Sequence, residues 1–296
     1  MSQVDQLDET EKSSRGQNME KNNSIYGFDL SGMELNRAFY EFERNASVKG
    51  YQGREVDSWF MMSSIWPAAA LTSAYLYFII VAGPRCMKGR KPYSLKPVLL
   101  LYNLAQVVFS TWMVVRGFKE TYGIFLRAAC TPSLLSPKTA YAVDSLSWYY
   151  LISKYFEFLD TIFFVLRGKW KQVTFLHVYH HANMAIFTWI FVKYVSGIQI
   201  FMLGMCNSFV HAVMYSYYLL AAFGPSISRF LWWKRYITRL QIIQFLVVIV
   251  YLVYLYVQGC NTPPGFILFS ICNTSSFLIL FLLFYAKAYA DKKKLQ

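Results

Sequence analysis

The sequence predicts an all-α membrane protein in which seven transmembrane helices enclose a polar chamber open to the cytosol. Three observations support this prediction: an apolar composition, seven long apolar stretches, and basic residues concentrated in alternate linkers. Of the 296 residues, 56% are hydrophobic and only 15% are charged, whereas soluble domains carry about 25% charged residues. A formal charge of +13 would suggest nucleic-acid binding in a soluble protein. Here the cations lie between apolar stretches, which indicates a membrane and no nucleic acid.

Seven stretches each approach the roughly 20 apolar residues that a bilayer core requires. The first contains no charged residue, whereas the third contains three and the sixth is short. Helices are the expected spanning structure because lipid offers no partner for unpaired backbone groups. The predicted spans are residues 59–82, 97–116, 145–166, 173–192, 198–223, 240–257 and 265–286.

Basic residues orient the predicted bundle. The linkers 83–96, 167–172 and 224–239, together with the tail, contain 16 Lys or Arg, and the linkers on the opposite side contain four. Cytosolic loops of membrane proteins are the ones enriched in Lys and Arg. Seven spans therefore place the N-terminus in the lumen and the C-terminus in the cytosol.

Two polar segments flank the predicted membrane domain of residues 58–286. Residues 1–57 form an acidic leader that we expect to be luminal and disordered, with a glycosylation sequon at Asn45. The leader has no apolar region typical of a cleavable signal peptide. Residues 287–296 form a basic tail ending in KKLQ, a di-lysine pattern like the retrieval signals of the endoplasmic reticulum. A simple anchor for anionic headgroups is the alternative reading of this tail.

Three charged residues lie inside the third predicted span. Lys154, Glu157 and Asp160 recur every three residues and would share one face of a helix. Each costs roughly 2.5–3.5 kcal/mol at the centre of a bilayer, so ionisable residues there usually have a function. An ion-pair cluster that locks helix packing is the structural alternative.

All four histidines of the chain lie in predicted spans. His177, His180 and His181 form the pattern HVYHH on one face of the fourth span, and His211 lies in the fifth. Counted from the cytosolic ends, His180 lies roughly 11 Å deep and His211 roughly 15–18 Å deep, at about 1.5 Å per residue. Three histidines on one face are hard to explain by helix packing alone, which commonly uses a single one.

Other polar residues fall at a similar depth. Glu157 lies roughly 14 Å from the cytosolic end of its span at the same rise per residue. Asn207 is one turn from His211 on the luminal side, and Gln241 and Gln244 lie near the start of the sixth span. Four helices thus contribute polar groups to one level, which predicts a single site.

Three functions are open at this point. A di-iron desaturase or hydroxylase would need about eight histidines, judging by those families, and a mononuclear metal would need three. A receptor or transporter would use the chamber for a ligand or an ion. An acyltransferase would use imidazole as a nucleophile or as a base near neutral pH.

Cations near the predicted cytosolic mouth suit an anionic carrier with an apolar tail, such as acyl-coenzyme A. The positive-inside rule alone also accounts for cations in these linkers. The candidate coenzyme A contacts are Arg167, Lys169, Lys171, Lys234 and Arg235.

Several motifs in order resemble those of the ELO-family very-long-chain fatty acid elongases. The matching segments are KYFEFLDT (154–161), HVYHH (177–181), NSFVHAVMYSYY (207–218) and TRLQIIQ (238–244). The segments LRGKW and FLWWKRYIT are also similar to family motifs. The resemblance extends over about residues 57–290.

The resemblance implies a seven-helix enzyme of the endoplasmic reticulum membrane. Such enzymes condense a long-chain acyl-CoA with malonyl-CoA and release 3-oxoacyl-CoA, carbon dioxide and coenzyme A, without a bound cofactor or metal. Its implied partners are these two substrates, the lipid bilayer, the other enzymes of the elongation cycle and a second copy of the chain.

The resemblance also implies roles for individual residues. His180 corresponds to the histidine that carries the acyl group in a ping-pong mechanism, and His211 to its partner on the next span. The candidate catalytic residues are His177, His180, His181, Asn207, His211 and Gln244. The expected supporting residues are Lys154, Glu157, Asp160 and Gln241.

Two cysteines fall in linkers predicted to be luminal. Cys130 and Cys260 lie on the oxidising side of the membrane, where a disulfide and two free thiols are both chemically permitted. Relatives share a luminal cysteine pair, so the resemblance favours the disulfide.

Overall fold

The protein is all-helical in the part of the chain that the computed structural model describes: residues 55–195, 197–260, 262 and 264–290. No strand occurs in these ranges. The predicted glycosylation site and di-lysine motif lie outside the described residues. The helices are α1 (Trp66–Met87), α2 (Lys96–Thr121), α3 (Phe125–Cys130), α4 (Pro137–Phe156), α5 (Phe158–Leu166), α6 (Phe175–Tyr194), α7 (Ile198–Ala222), α8 (Pro225–Ser228), α9 (Lys234–Val257) and α10 (Pro264–Tyr285).

Four of the described helices are long and apolar enough to cross a membrane. They are α1, α2, α9 and α10, the last with a π-helical continuation. Large apolar side chains on their outer faces are exposed, for example Leu101 and Val250 at 71% and 68%, as expected for helices surrounded by lipid. The prediction of an all-α, multi-pass membrane protein is therefore confirmed.

The first predicted span, residues 59–82, begins too early. The helix α1 starts seven residues later, because the preceding segment folds into turns against α4 and α6. The indole N–H of Trp148 donates to the Phe60 carbonyl at 3.0 Å, and that of Trp189 donates to the Met61 carbonyl at 2.7 Å. These bonds satisfy backbone groups that a helix would otherwise pair within itself.

The described end of the leader also packs on this bundle. Glu55–Ser58 form one 3₁₀ turn, in which Val56 is buried. The Nζ of Lys193 on α6 donates to Oδ1 of Asp57 at 2.7 Å. This ion pair fixes the turn beside the C-terminal end of α6.

The third predicted span, residues 145–166, is longer than expected and is broken. The Ser136 hydroxyl caps α4 by accepting a hydrogen bond from the Thr139 N–H at 3.1 Å. At the break, Glu157 lies between α4 and α5, and the Asp160 N–H donates to the Glu157 carbonyl three residues back. One tightened turn therefore interrupts the α-helical pattern between the predicted charged residues.

The helices α2 and α7 pack closely at Gly117. A Cβ atom at this position would lie 2.6 Å from Cζ of Phe201 and 2.7 Å from Sδ of Met205. Glycine therefore permits the close approach of the two helices. This contact places α7, which carries Asn207 and His211, in the interior of the bundle.

A disulfide joins the end of α3 to the linker between α9 and α10. It links Cys130 and Cys260, whose Cα atoms are 4.4 Å apart. Cys260 is buried in the same apolar cluster as Val248 and Leu255 of α9. The disulfide thus constrains three helices at one end of the bundle.

Candidate active site

Three histidines occupy the first two turns of α6. This helix begins at a threonine N-cap, where Oγ1 of Thr174 accepts a hydrogen bond from the His177 N–H at 3.2 Å. The ring centroids of His177 and His181 are 4.3 Å apart, and those of His180 and His181 are 5.6 Å apart. The His180 ring also meets Phe277 of α10 edge-on at 5.1 Å. The HVYHH pattern therefore forms one imidazole cluster.

A buried hydroxyl chain holds the first of these histidines. Nε2 of His177 lies 3.0 Å from Oγ1 of Thr161, which lies 2.9 Å from the hydroxyl of Tyr75 on α1. Thr161 is fully buried. By contrast, the buried Nδ1 of His181 has no hydrogen-bond partner among the described residues. This nitrogen is therefore an unsatisfied polar atom inside the bundle.

A second group of buried polar residues links α4 and α7. Nζ of Lys154 donates to Oε1 of Glu157 at 2.6 Å and to Oδ1 of Asn207 at 2.8 Å. Nδ1 of His211 lies 3.1 Å from the same Glu157 oxygen, and the Tyr150 hydroxyl donates to Oδ1 of Asn207 at 2.8 Å. All five residues are buried. The network satisfies charges that would be costly to bury alone.

An elongated cavity extends from the histidine cluster into the bundle. Its empty volume, open space at its mouth included, is about 790 Å³. His180, Asn207 and Gln244 all line it, so the cavity brings together three of the predicted catalytic residues. The remaining lining residues are Met113, Ser147, Tyr150, Met184, Phe187, Thr188, Phe191, Val192, Phe201, Leu203, Gly204, Phe245, Val248, Asn273, Thr274 and Phe277. We call this space the main cavity.

Two predicted supporting residues, Asp160 and Gln241, are hydrogen-bonded outside the network of Lys154 and Glu157, and none of the four supporting residues is among those that line the main cavity. Oδ2 of Asp160 accepts a hydrogen bond from the Tyr215 hydroxyl at 2.6 Å. Tyr215 is fully buried, and its ring lies 6.0 Å from that of Tyr102 on α2. Nε2 of Gln241 lies 3.7 Å from Sδ of Met214. The expected single row of charges is therefore split, with Asp160 in a separate tyrosine cluster.

The predicted coenzyme A contacts lie where α5 ends and where α6 and α9 begin. Arg167 follows α5 and is half-buried, and the others are exposed. In this group, Nη2 of Arg235 donates to the neighbouring Tyr236 hydroxyl at 3.0 Å. A further cation, Arg239, donates from Nε to the Tyr285 hydroxyl at 2.8 Å. The sequence interpretation missed Arg239, although it stands in the TRLQIIQ segment.

The sequence interpretation also missed a pair of side-chain amides at the main cavity, those of Asn183 and Asn273. Nδ2 of Asn183 donates to Oδ1 of Asn273 at 3.1 Å, and the reverse bond measures 3.3 Å. Asn273 lines the cavity that also contains His180. The sequence did contain a signal for this pair: each residue is an amide within an apolar span, and a buried polar group needs a hydrogen-bond partner.

No group of three or more His, Cys, Asp or Glu side chains in the described ranges is arranged to hold a metal ion. The site therefore consists of imidazoles, amides and one buried ion pair beside an apolar space. Imidazole in such a setting can act as a nucleophile or as a base. The absence of a bound cofactor stays a prediction.

Comparison with known proteins gives the family. The sequence model of the ELO family, described as the GNS1/SUR4 family, matches residues 60–296. The chain belongs to the ELO family. The family predicted from the motifs is therefore confirmed. The matched residues include every residue of the candidate site.

Several ELO-family relatives are similar over most of the chain. A very long chain fatty acid elongase of Aedes aegypti is 41% identical over 82% of this chain and 69% of its own length. Very long chain fatty acid elongase 7 of Drosophila melanogaster is 41% identical over 78% of this chain and 71% of its own length. Human very long chain fatty acid elongase 4 is 40% identical over 81% of this chain and 77% of its own length. These relatives support the predicted class, an acyl-CoA condensing enzyme of fatty acid elongation.

Proposed function

We propose that this protein is the condensing enzyme of fatty acid elongation. It joins a long-chain acyl-CoA to malonyl-CoA and releases 3-oxoacyl-CoA, carbon dioxide and coenzyme A. The observation that carries this proposal is the position of His180, which lies on the wall of a mainly apolar cavity together with Asn207 and Gln244. Membership in the ELO family supports the same reaction.

The first half-reaction transfers the acyl group to the enzyme. A ring nitrogen of His180 attacks the thioester carbonyl carbon, the carbon–sulfur bond breaks, and coenzyme A leaves with a proton. The acyl chain then remains in the main cavity as an acyl-imidazole. Covalent catalysis of this kind replaces one difficult step by two easier ones.

The second half-reaction forms the new carbon–carbon bond. Malonyl-CoA loses carbon dioxide, and the electron pair of the broken bond forms an enolate. The enolate carbon attacks the acyl carbon, and the bond to His180 breaks. The departing ring nitrogen takes up a proton carried by His211, so the neutral imidazole is regenerated. The product is two carbons longer than the acyl group that entered.

Asn207 is oriented to stabilise negative charge in these steps. Its Oδ1 accepts hydrogen bonds from Lys154 and Tyr150, so the amide presents Nδ2 as its donor. Because Asn207 also lines the main cavity, this N–H group can serve a tetrahedral or enolate oxygen. Gln244 and His181 are further donors, and a positioned donor in a dry site contributes about 3–4 kcal/mol to catalysis.

His211 acts as the proton carrier beside His180. The Glu157 carboxylate holds Nδ1 of His211 at 3.1 Å, which fixes the tautomer with a proton on this nitrogen and a lone pair on Nε2. Lys154 balances the Glu157 charge in turn. His177 is a positioning residue, because Thr161 and Tyr75 fix its ring.

In this proposal the chain crosses the membrane seven times. The helices α4 and α5 together form one further span, and α6 and α7 form one span each. The enzyme lies in the membrane of the endoplasmic reticulum. Its leader is luminal, its tail is cytosolic, and its site opens to the cytosol. The loop charges support this orientation. Arg167, Lys169, Lys171, Lys234 and Arg235 then face the phosphates of coenzyme A.

Product analysis tests the reaction. The purified chain, supplied with a long-chain acyl-CoA and isotopically labelled malonyl-CoA, should make 3-oxoacyl-CoA and release one carbon dioxide per coenzyme A. Chelators, oxygen removal and electron donors should have no effect. Failure to form the product with acyl chains of any length would refute the proposal.

A further inference from the structure

A layer of four side chains lies next to the reacting residues, towards the end of the bundle where α6 and α9 begin. We call this end the basic end, because Lys171 and Lys234 stand there. Each member of the layer is three or four residues nearer the basic end than a residue of the candidate site, and residues so spaced share one helix face. The members are His177 on α6, Met214 on α7, Gln241 on α9 and Phe281 on α10. We call them the outer layer.

The outer layer adjoins the candidate site on two helices. On α10, the ring of Phe281 lies 6.2 Å from that of His180, and the ring of Phe277 lies 5.1 Å from it. On α9, Gln241 precedes Gln244, which lines the main cavity together with His180. A molecule that enters from the basic end therefore passes the outer layer before it reaches His180.

Gln241 is the member of the outer layer whose polar group has the weakest partner. Its Nε2 lies 3.7 Å from Sδ of Met214, and a thioether is a weak acceptor. By contrast, Nε2 of His177 lies 3.0 Å from the hydroxyl oxygen of Thr161. Gln241 is also only half-buried. A bound anion can therefore replace the sulfur as the acceptor of the Gln241 amide.

The four side chains of the outer layer include neither lysine nor arginine. Lys154, the cation of the neighbouring buried network, donates to Glu157 and Asn207. Arg239, which precedes Gln241 on α9, is exposed and donates to the Tyr285 hydroxyl. An anionic group in the outer layer would therefore meet a neutral amide donor.

We infer that Gln241 binds the carboxylate of malonyl-CoA and so distinguishes this substrate from the long-chain acyl-CoA. This inference rests on the proposed function and names the residue that selects its second substrate. Malonyl-CoA differs from other acyl-CoA molecules by its free carboxylate, which needs a hydrogen-bond donor when it leaves water. The Nε2 group of Gln241 supplies that donor.

The spacing of the two glutamines fits the size of the malonyl group. The carbon that becomes the enolate must come within about 3–3.5 Å of the acyl carbon on His180, and the carboxylate is bonded directly to it. Gln241 lies about 4.5 Å from Gln244 along α9, at 1.5 Å per residue. The carboxylate thus lies on the basic side of the acyl carbon, while the acyl chain occupies the main cavity on the other side.

A neutral donor suits a carboxylate that has to leave as carbon dioxide. When the carbon–carbon bond breaks, its electron pair moves into the enolate, and the carboxylate loses its negative charge. A lysine or arginine would stabilise the carboxylate more than the transition state, and only interactions that are stronger in the transition state accelerate a reaction. An amide recognises the carboxylate without this large stabilisation of the ground state.

The variant Gln241→Met tests the inference in the purified full-length chain, because methionine has a similar length and no donor. Its kcat/KM for malonyl-CoA should fall about tenfold to hundredfold, the usual effect of losing a hydrogen bond to a charged group. Its kcat/KM for a long-chain acyl-CoA should equal that of the wild type. Gln258→Leu is the control: Gln258 is exposed at the other end of α9, and neither value should change.

The variant Gln241→Lys gives a result that a packing role would not produce. Its ammonium should hold malonyl-CoA more tightly and slow the loss of carbon dioxide, so KM for malonyl-CoA and kcat should both fall. Gln241→Glu should repel the carboxylate and lower kcat/KM for malonyl-CoA at least as far as Gln241→Met does. If Gln241→Met does not accumulate as a folded protein, these two variants provide the comparison.

Three results would overturn the inference. They are an unchanged kcat/KM for malonyl-CoA in Gln241→Met, an equal fall for both substrates in that variant, and a raised KM for malonyl-CoA in Gln241→Lys. Each would leave the proposed function intact, because wild-type condensation is measured with the same substrates. Absence of any wild-type condensation would instead refute the proposed function itself.

Discussion

At the residue scale, the contrast between His180 and His211 is the basis for the proposed division of the chemistry between two imidazoles. His180 lines the main cavity, where the acyl group can reach it. His211 is buried and held by Glu157. One ring is therefore exposed to substrate while the other is fixed by a carboxylate, as expected for a nucleophile and its proton carrier.

This division predicts different results for the two alanine variants. With acyl-CoA alone, the wild type should release up to one equivalent of coenzyme A and carry an acyl group on the peptide that contains HVYHH. His180→Ala should abolish both signals. His211→Ala should retain them but slow them by a factor of about 10²–10⁴, the usual effect of a lost acid–base group. Intact-protein mass spectrometry and a thiol assay measure the two signals.

The alternative mechanism is direct condensation in a ternary complex. It predicts no release of coenzyme A before malonyl-CoA binds and no acylated protein. Finding neither signal in the wild type would refute the nucleophile assignment but not the overall reaction.

The buried ion pair gives a second residue-scale prediction. Lys154 and Glu157 are 2% and 3% exposed, so Glu157→Gln would leave a buried ammonium without its counter-charge. Removing one partner of such a pair costs about 3–5 kcal/mol. We expect a lower thermal unfolding midpoint in detergent and loss of activity.

The double variant Lys154→Met with Glu157→Gln separates the two effects. It removes both charges, so the unfolding midpoint should recover towards that of the wild type. Activity should stay low, because the His211 tautomer is no longer held by a carboxylate. Recovery of full activity would show that the pair serves only for packing.

At the element scale, the long apolar stretches of the sequence located most of the helices but not their interruptions. The predicted spans 97–116, 198–223 and 240–257 fall on α2, α7 and α9 because apolar length alone marks such helices. The break at Glu157 was missed, since one tightened turn leaves no mark in hydropathy. The late start of α1 depends on hydrogen bonds from Trp148 and Trp189, which are distant in sequence.

The candidate site could likewise be predicted only in part from the sequence. The HVYHH cluster was predictable, because residues three and four apart share one helix face. The bond of Lys154 to Asn207 joins residues 53 apart, and that of Asn183 to Asn273 joins residues 90 apart. Their partners depend on which helices are neighbours, and hydropathy alone does not specify this.

The contact of α2 with α7 gives an element-scale prediction. Gly117→Leu would place side-chain atoms where Phe201 and Met205 lie. Overpacking of this kind costs about 1–3 kcal/mol, so the unfolding midpoint in detergent should fall. Gly265→Leu is the control: Gly265 is exposed on α10, and a Cβ there meets nothing within 4 Å. Equal destabilisation by both variants would contradict the proposed close contact.

At the scale of the whole molecule, the polar and apolar parts of the site lie at different ends of the bundle. The histidines lie near the N-terminus of α6, beside cations such as Lys169 and Lys171. The main cavity extends towards the end that carries the disulfide of Cys130 and Cys260. In the proposed reaction, the charged carrier stays at one membrane surface while its apolar chain enters the bundle, which avoids burying phosphates.

This arrangement requires one orientation in the membrane. Coenzyme A substrates are cytosolic, so the end with the histidines must face the cytosol, and the charge distribution of the linkers favours the same direction. We therefore predict that an epitope tag after residue 296 is digested by protease in intact microsomes. A tag on the acidic leader should be protected until detergent is added, and Asn45 should be open to glycosylation. A protected C-terminal tag would contradict the orientation, because the histidines would then open to the lumen, away from their substrates.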